Sequence, residues 1–137
     1  MRVGFTGTRE GCSPAQMLAL KRYVEELAGS HPDATFVHGS CRGADSEFHG
    51  ICLGLNREVR PGVHTRKVLG GLKTRVYPRR GNHARNRDIV DTADLLISCP
   101  RTNVEQEKGG TWYTTRYARK MGVRVVLITR EGALLTQ

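Results

Sequence analysis

Fourteen residues, Phe36–His49 (FVHGSCRGADSEFH), restrict the fold more than any other stretch of the chain. An apolar run ends in Gly39, a second glycine follows at Gly43, and a helical pattern opens immediately afterwards. Backbone that turns through two glycines can come close to a ligand, and a helix opening just beyond aims N–H groups at it. The unit is therefore a strand, a glycine turn and a helix. Its chemistry suits an anion, a phosphate above all.

The unit recurs along the chain. Arg2 to Thr6 (RVGFT) is a short β-rich run that enters the turn GTREG, with Gly7 and Gly11. Ser13 can cap the helix that follows, Pro14 fits its first position, and Gln16 stands where a capping box closes. Met17, Leu20, Val24 and Leu27 repeat at helical spacing, and Gly29 ends the run. Thr35 to His38 is a second strand. The helix after it carries Ala44, Phe48, Ile51, Cys52 and Leu55 on one face, and Gly54 or Asn56 closes it. From Arg57 to Lys73 periodicity fails. This stretch is read either as a mobile loop or as holding a short strand near Arg57 to Arg60, and it precedes a third strand expected at Thr74 to Tyr77, stopped by Pro78. Asn82 to Ala93 reads as a helix burying Ile89, Val90 and Ala93, and Asp94 to Cys99 as a buried strand ended by Pro100. The polar loop RTNVEQEKGG then fits a lid over a site at the strand ends. Thr111 to Met121 is a helix closed by Gly122, and Val123 to Thr129 is the last expected strand.

Strands that alternate with helices and are themselves almost continuously apolar belong in a parallel sheet covered on both faces. The expected fold is α/β, a Rossmann-like doubly wound, mainly parallel sheet of about five strands. In such a sheet a ligand lies beyond the carboxyl ends of the strands, where the strand order reverses. With 137 residues the chain is read as one domain, 1–137, in which 57–73 is a basic insertion.

Charge sharpens this picture once it is located. Ten Lys/Arg and one acid fall between Arg57 and Arg87, so this segment carries the whole net charge of +9 and the remainder is neutral. Such a segment attracts the phosphates of nucleotides or of nucleic acid, unless it is merely a solvated loop. No apolar run approaches the roughly 18 residues that span a bilayer, and MRVGFTG enters a strand pattern at once, so a cytoplasmic location is expected. Cys12, Cys41, Cys52 and Cys99 form no C-x-x-C pair and are read as free thiols. No His/Cys/Asp cluster has metal-ligand spacing, and no cofactor is implied.

Three glycine turns converge on one sheet edge: Gly7-Thr8-Arg9, Gly39-Ser40-Cys41-Arg42-Gly43 and Gly109-Gly110-Thr111. Arg9, Arg42, Arg85 and Arg87 can bring forked guanidinium groups to phosphate oxygens. There is no G-x-x-x-x-G-K-[ST], no G-x-G-x-x-G in the first turn and no acid about 20 residues beyond it, which speaks against ATP hydrolysis and ordinary dinucleotide redox chemistry. Asp45 either caps its helix or binds a ribose hydroxyl. His38 and His49, on either side of the second turn, are read as structural or neutral hydrogen-bonding groups.

On these residues the chain resembles the SLOG superfamily, the Rossmann-like group that includes the LOG phosphoribohydrolases, the DNA-processing protein A family and small stand-alone nucleotide-binding proteins. Gly39-Ser-Cys-Arg42-Gly43-Ala-Asp45-Ser-Glu-Phe-His49 is similar to the G-x-x-R-G-x-D-x-x-x-H turn and helix of the DNA-processing family. Arg85-Asn86-Arg87-Asp-Ile is similar to its R-N-R-x-I helix, and GGTWYTTRYARKMG to the last turn and helix of the stand-alone proteins. The resemblance implies a nucleotide or nucleotide-derived ligand held by Gly7, Thr8, Arg9, Gly39, Ser40, Arg42, Gly43, Asp45, Arg85, Asn86, Pro100, Gly109, Gly110 and Thr111. It also implies self-association. Single-stranded DNA binding is the alternative, with Tyr77 or Trp112 available to stack, and cleavage of a nucleoside monophosphate a further one. LOG hydrolases use P-G-G-x-G-T-x-x-E. Here the glutamate position is Thr114, and a hydroxyl cannot replace a carboxylate that stabilises an oxocarbenium-like centre. Asp45, Glu105 and Glu107 are the carboxylates that could substitute.

Overall fold

A computed structural model describes residues 1–39, 42–55, 59–61 and 82–137, with backbone alone at 59–61 and 82. Ser40, Cys41, the expected strand at Thr74–Tyr77 and most of the basic insertion lie outside the described residues. The elements are β1 (Arg2–Gly7), α1 (Pro14–Ser30), β2 (Thr35–His38), α2 (Ala44–Gly54), β3 (Val59–Pro61), α3 (Asn82–Asp91), β4 (Leu95–Cys99), α4 (Gly110–Lys120), β5 (Arg124–Ile128) and β6 (Leu134–Thr136).

They build one sheet in the order β3-β2-β1-β4-β5-β6. The first five strands are parallel: Val3 of β1 lies between Phe36 of β2 and Leu95 of β4, and Ile97 of β4 pairs with Val126 of β5. This bears out the mainly parallel α/β sheet. The short strand left open near Arg57 to Arg60 is present as β3, Val59–Pro61, on the edge beside β2. One strand departs from expectation: a three-residue β6 adds an antiparallel partner to β5 through Leu127 and Leu135.

The alternation of side chains along the strands separates two apolar layers. Val3, Phe5, Phe36, Ile97 and Val126 meet Leu20, Val24, Phe48 and Ile51 of α1 and α2 on one face, where the Phe5 and Phe48 rings stack with centroids 4.3 Å apart. Leu96 and Val125 meet Ile89, Val90 and Ala118 of α3 and α4 on the other.

The expected capping box of α1 is present and does more than begin a helix. Gln16 is fully buried, and its amide oxygen accepts from Ser13 N–H at 3.2 Å and from Arg130 Nη1 at 2.9 Å. Its amide nitrogen donates to the carbonyls of Pro100, at 3.1 Å, and Ile128, at 2.8 Å. One side chain thus ties the start of α1 to the carboxyl ends of β4 and β5. A buried amide with both ends satisfied rigidifies its surroundings, and here it fixes the edge of the sheet that carries the site.

Candidate ligand site at the strand switch

From β1 the chain winds outward through β2 to β3 and then returns to the other side of β1 as β4. The crevice between the carboxyl ends of β1 and β4 is the switch point, the place where α/β sheets hold ligands. A cavity of about 780 Å³ opens there, within the range of small-molecule sites. Its walls come from three places: the end of β1 and its turn (Phe5, Thr6, Gly7, Thr8, Arg9), the first half of α3 (His83, Arg85, Asn86, Ile89), and the loop into α4 (Arg101, Gln106, Glu107, Lys108, Gly109, Gly110, Thr111, Trp112). Gly39 and Asp45 complete it.

Ten of the expected residues therefore border one space: Gly7, Thr8, Arg9, Gly39, Asp45, Arg85, Asn86, Gly109, Gly110 and Thr111. Three do not. Arg42 is exposed and off the cavity wall. Gly43 has its backbone against that of β1's turn: with φ +80°, a Cβ placed there would stand 2.3 Å from the Arg9 carbonyl oxygen, so the position requires glycine. The Ala44 N–H, next in line, donates to the Thr8 carbonyl at 3.0 Å. The first N–H of α2 is thus committed to holding β1's turn rather than to a ligand. Pro100 is buried, and its carbonyl is held by Gln16.

The helix opening that does face the cavity is that of α4. Its N-cap, Gly109, makes no side-chain cap hydrogen bond, and no acid lies in the first turn. Uncapped N–H groups and the positive end of the helix dipole favour an anion at such a point. Arg9, Arg101 and Lys108 bring exposed cations to the same walls. Arg85 and Asp45 are 3 % and 4 % exposed. They meet at Gly39, where an added Cβ would stand 3.0 Å from Arg85 Nε and 3.2 Å from Asp45 Oδ2. Removing that Cβ is what lets a buried guanidinium and a buried carboxylate border one point of the wall. Asp45 stands in the first turn of α2, whose N-cap residue is Gly43.

The loop read as a lid is fastened. Arg116 donates to the carbonyls of Gln106 and Glu107, Arg119 Nη1 lies 2.5 Å from Glu105, and the Asn103 amide bonds Glu131 and accepts the Arg130 N–H. Of the carboxylates that could replace a catalytic glutamate, Glu105 is engaged outside the cavity, its acid strengthened by the bond to Arg119, while Glu107 and Asp45 line the walls. Thr114 is buried, and its hydroxyl donates back to the Gly110 carbonyl at 2.7 Å. Arg87, expected to meet phosphate, instead donates to the Tyr113 hydroxyl at 2.9 Å.

The two histidines of the second turn form a buried pair, His38 Nε2 to His49 Nδ1 at 2.8 Å, so one ring donates and the other accepts. Burial lowers the pKa of His38 to about 3, with the neighbouring His49 and Arg85 adding to the effect. It is a neutral strut at the foot of the site. Burial, followed by a hydrogen bond with Cys12, pushes the Cys99 thiol up, so it is not a thiolate at neutral pH. His83, Arg101, Gln106 and Lys108 line the cavity without being among the expected ligand residues. Their membership depends on how α3 and the α4 loop fold over the edge, which no local pattern encodes.

No protein-family model matches this sequence, and no curated protein matches it either. Solved structures do. The molybdenum cofactor binding protein of the phototrophic bacterium Rippkaea orientalis has a TM-score of 0.72 at 17 % identity, over 93 % of this chain and 76 % of that one. DNA processing protein A from Streptococcus pneumoniae gives 0.71 at 17 % identity, over 92 % of this chain. The Helicobacter pylori protein of the same name, solved in connection with its single-stranded DNA binding mode, gives 0.67 at 18 % identity, over 93 % of this chain. The chain shares their Rossmann-like fold. It spans 49 % and 64 % of the two DNA-processing chains, and at these identities the likeness concerns the fold alone. Among the described residues, no helix is long and apolar enough to cross a membrane.

Proposed function

We propose that this chain is a SLOG-type domain that binds a nucleotide or nucleotide-derived ligand at the β1/β4 switch point, as a sensor or sequestering protein. The observation that carries the reading is the placing of β1's glycine turn, the uncapped opening of α4 and the cations Arg9, Arg85, Arg101 and Lys108 around one cavity. The phosphate sits on Gly109–Thr111 and Thr8, with Arg9 and Lys108 closing on it, and Asp45 faces the ribose. Existing as a fold relative of a cofactor-binding and a DNA-binding protein supports ligand binding in general.

Arg9 and Lys108 are exposed, so removing them tests the site without disturbing the core. The double variant Arg9→Ala/Lys108→Ala is expected to weaken calorimetric binding of AMP or ADP-ribose by at least about 100-fold, since each charge-assisted bond is worth about 1.5–3 kcal/mol. The melting temperature stays unchanged. Arg42→Ala, off the cavity wall, stays within about threefold of wild type by the same reasoning. Equal affinities in all three proteins would refute the assignment.

The concentration of charge between Arg57 and Arg87 favours a second reading, in which single-stranded nucleic acid runs over the basic segment. Oligonucleotide affinity that falls steeply with salt and survives the Arg9/Lys108 replacement identifies that mode.

A further inference from the structure

His83 occupies an unusual place for an exposed side chain. It lines the cavity, on the first turn of α3, and its ring lies flat on that of Tyr113, with centroids 4.1 Å apart and planes 12° from parallel. Tyr113 is in turn held from behind, because Arg87 Nη1 donates to its hydroxyl at 2.9 Å. Arg87 lies one helical turn after His83, and Tyr113 sits on the first turn of α4, so the stack bridges the two helices that bound the site. One face of the imidazole is covered by tyrosine. His83 is nevertheless exposed and lines the cavity, so it is the opposite face and the edge of the ring that a ligand can reach.

A flat ring fixed from behind and open in front is a stacking platform. A planar base laid on such a platform gains dispersion and π contact without the entropy cost of ordering a free side chain. The same cavity wall carries the anion-binding turn at Gly109–Thr111, a few residues before Tyr113 on the same element. A phosphate at one end and a planar heteroaromatic ring at the other is the description of a nucleotide.

We propose that His83, backed by Tyr113, is the base-stacking residue of the site, and that the ligand carries a purine-sized heteroaromatic ring as well as a phosphate. The proposal rests on the phosphate-binding reading above and narrows it: ribose phosphates and inorganic phosphate occupy only half of the site, and nucleotides occupy all of it.

The test compares AMP with ribose 5-phosphate, which lacks the base, by calorimetric titration of the full chain. Wild type is expected to bind AMP at least tenfold more tightly than ribose 5-phosphate, in line with the strength of base–aromatic stacking. His83→Ala is expected to remove that difference while leaving ribose 5-phosphate affinity unchanged, and His83→Phe to retain it. Tyr113→Ala is expected to behave as His83→Ala, because the platform loses its backing. An AMP preference that survives His83→Ala overturns the proposal, as does wild type binding both compounds equally. Equal binding leaves the phosphate site standing, whereas no binding of either compound removes both readings together.

Discussion

Replacing Gly43 with alanine is expected to destabilise the protein by about 3 kcal/mol or more, a drop in melting temperature of roughly 10 °C. Two costs combine. The residue has φ +80° and ψ −123°, a conformation that L side chains avoid, and the new Cβ would meet backbone atoms, with Arg9 O at 2.3 Å, Arg9 C at 2.5 Å and Thr8 O at 2.7 Å. Backbone cannot swing aside as the end of a long side chain can. Relief has to come from separating β1's turn from α2, which stretches the bond from Ala44 N–H to the Thr8 carbonyl and moves Thr8 and Arg9 out of place in the cavity wall. Binding is therefore expected to weaken along with stability. Gly50, in the middle of the same helix, is the control: an added Cβ there meets nothing within 4 Å, so Gly50→Ala is expected to stabilise by about 0.5–1 kcal/mol through helix propensity. Thermal and urea unfolding of both variants checks the pair. Equal small effects would show that Gly43 is not pinned between the two turns.

The second large effect is a loss of stability in acid. His38 is fully buried against His49, and burial, then His49 and Arg85, lower its pKa from 6.5 to about 3. In the unfolded chain it takes up a proton near pH 6.5, while the folded protein refuses one until about pH 3. The unfolded state thus binds more protons throughout that window, and stability falls as pH falls through it. The contribution is present above pH 6.5 and declines with a slope approaching 1.4 kcal/mol per pH unit, giving roughly 2 kcal/mol between pH 7 and pH 5. His38→Gln keeps a hydrogen-bonding amide beside His49 and cannot titrate. Its unfolding free energy is expected to decline by roughly 2 kcal/mol less over the same interval, and parallel pH profiles for the two proteins would contradict the assignment of His38 as a neutral strut.

The sequence made the frame of this molecule legible because each frame element rests on local chemistry. Ser13, Pro14 and Gln16 announce the start of α1, and the capping box forms between those residues. Leu95–Cys99 is buried at every position, as a nearly continuous apolar strand of a parallel sheet should be. Elements without a local signal were missed or left open. β6 is three residues whose strand character comes only from pairing with β5, and β3 is a three-residue edge strand beside β2. The site divides along the same line. The turns at Gly7–Arg9 and Gly109–Thr111 were legible because glycine and hydroxyl residues at a strand end mean the same thing wherever they occur. The roles of the arginines were not. Arg42 and Arg85 both carry a guanidinium, yet one stays at the surface while the other is buried against Gly39, a difference made by the folding of α3 across the sheet edge. The second glycine turn, the richest in sequence signal, uses much of that signal to join α2 to β1, and the open helix terminus belongs to α4.

The central claim, that a phosphate-bearing ligand sits at the β1/β4 switch point, is tested most directly by titrating AMP into the isotopically labelled chain and following backbone amide signals by NMR. Saturable shifts are expected at Gly7–Arg9, Arg85–Asn86 and Gly109–Trp112, with Leu134–Thr136 of β6 unmoved, because the first three sets line the cavity and β6 lies at the far edge of the sheet. Shifts that avoid Gly109–Trp112 and Gly7–Arg9, or their absence at millimolar AMP, would contradict it.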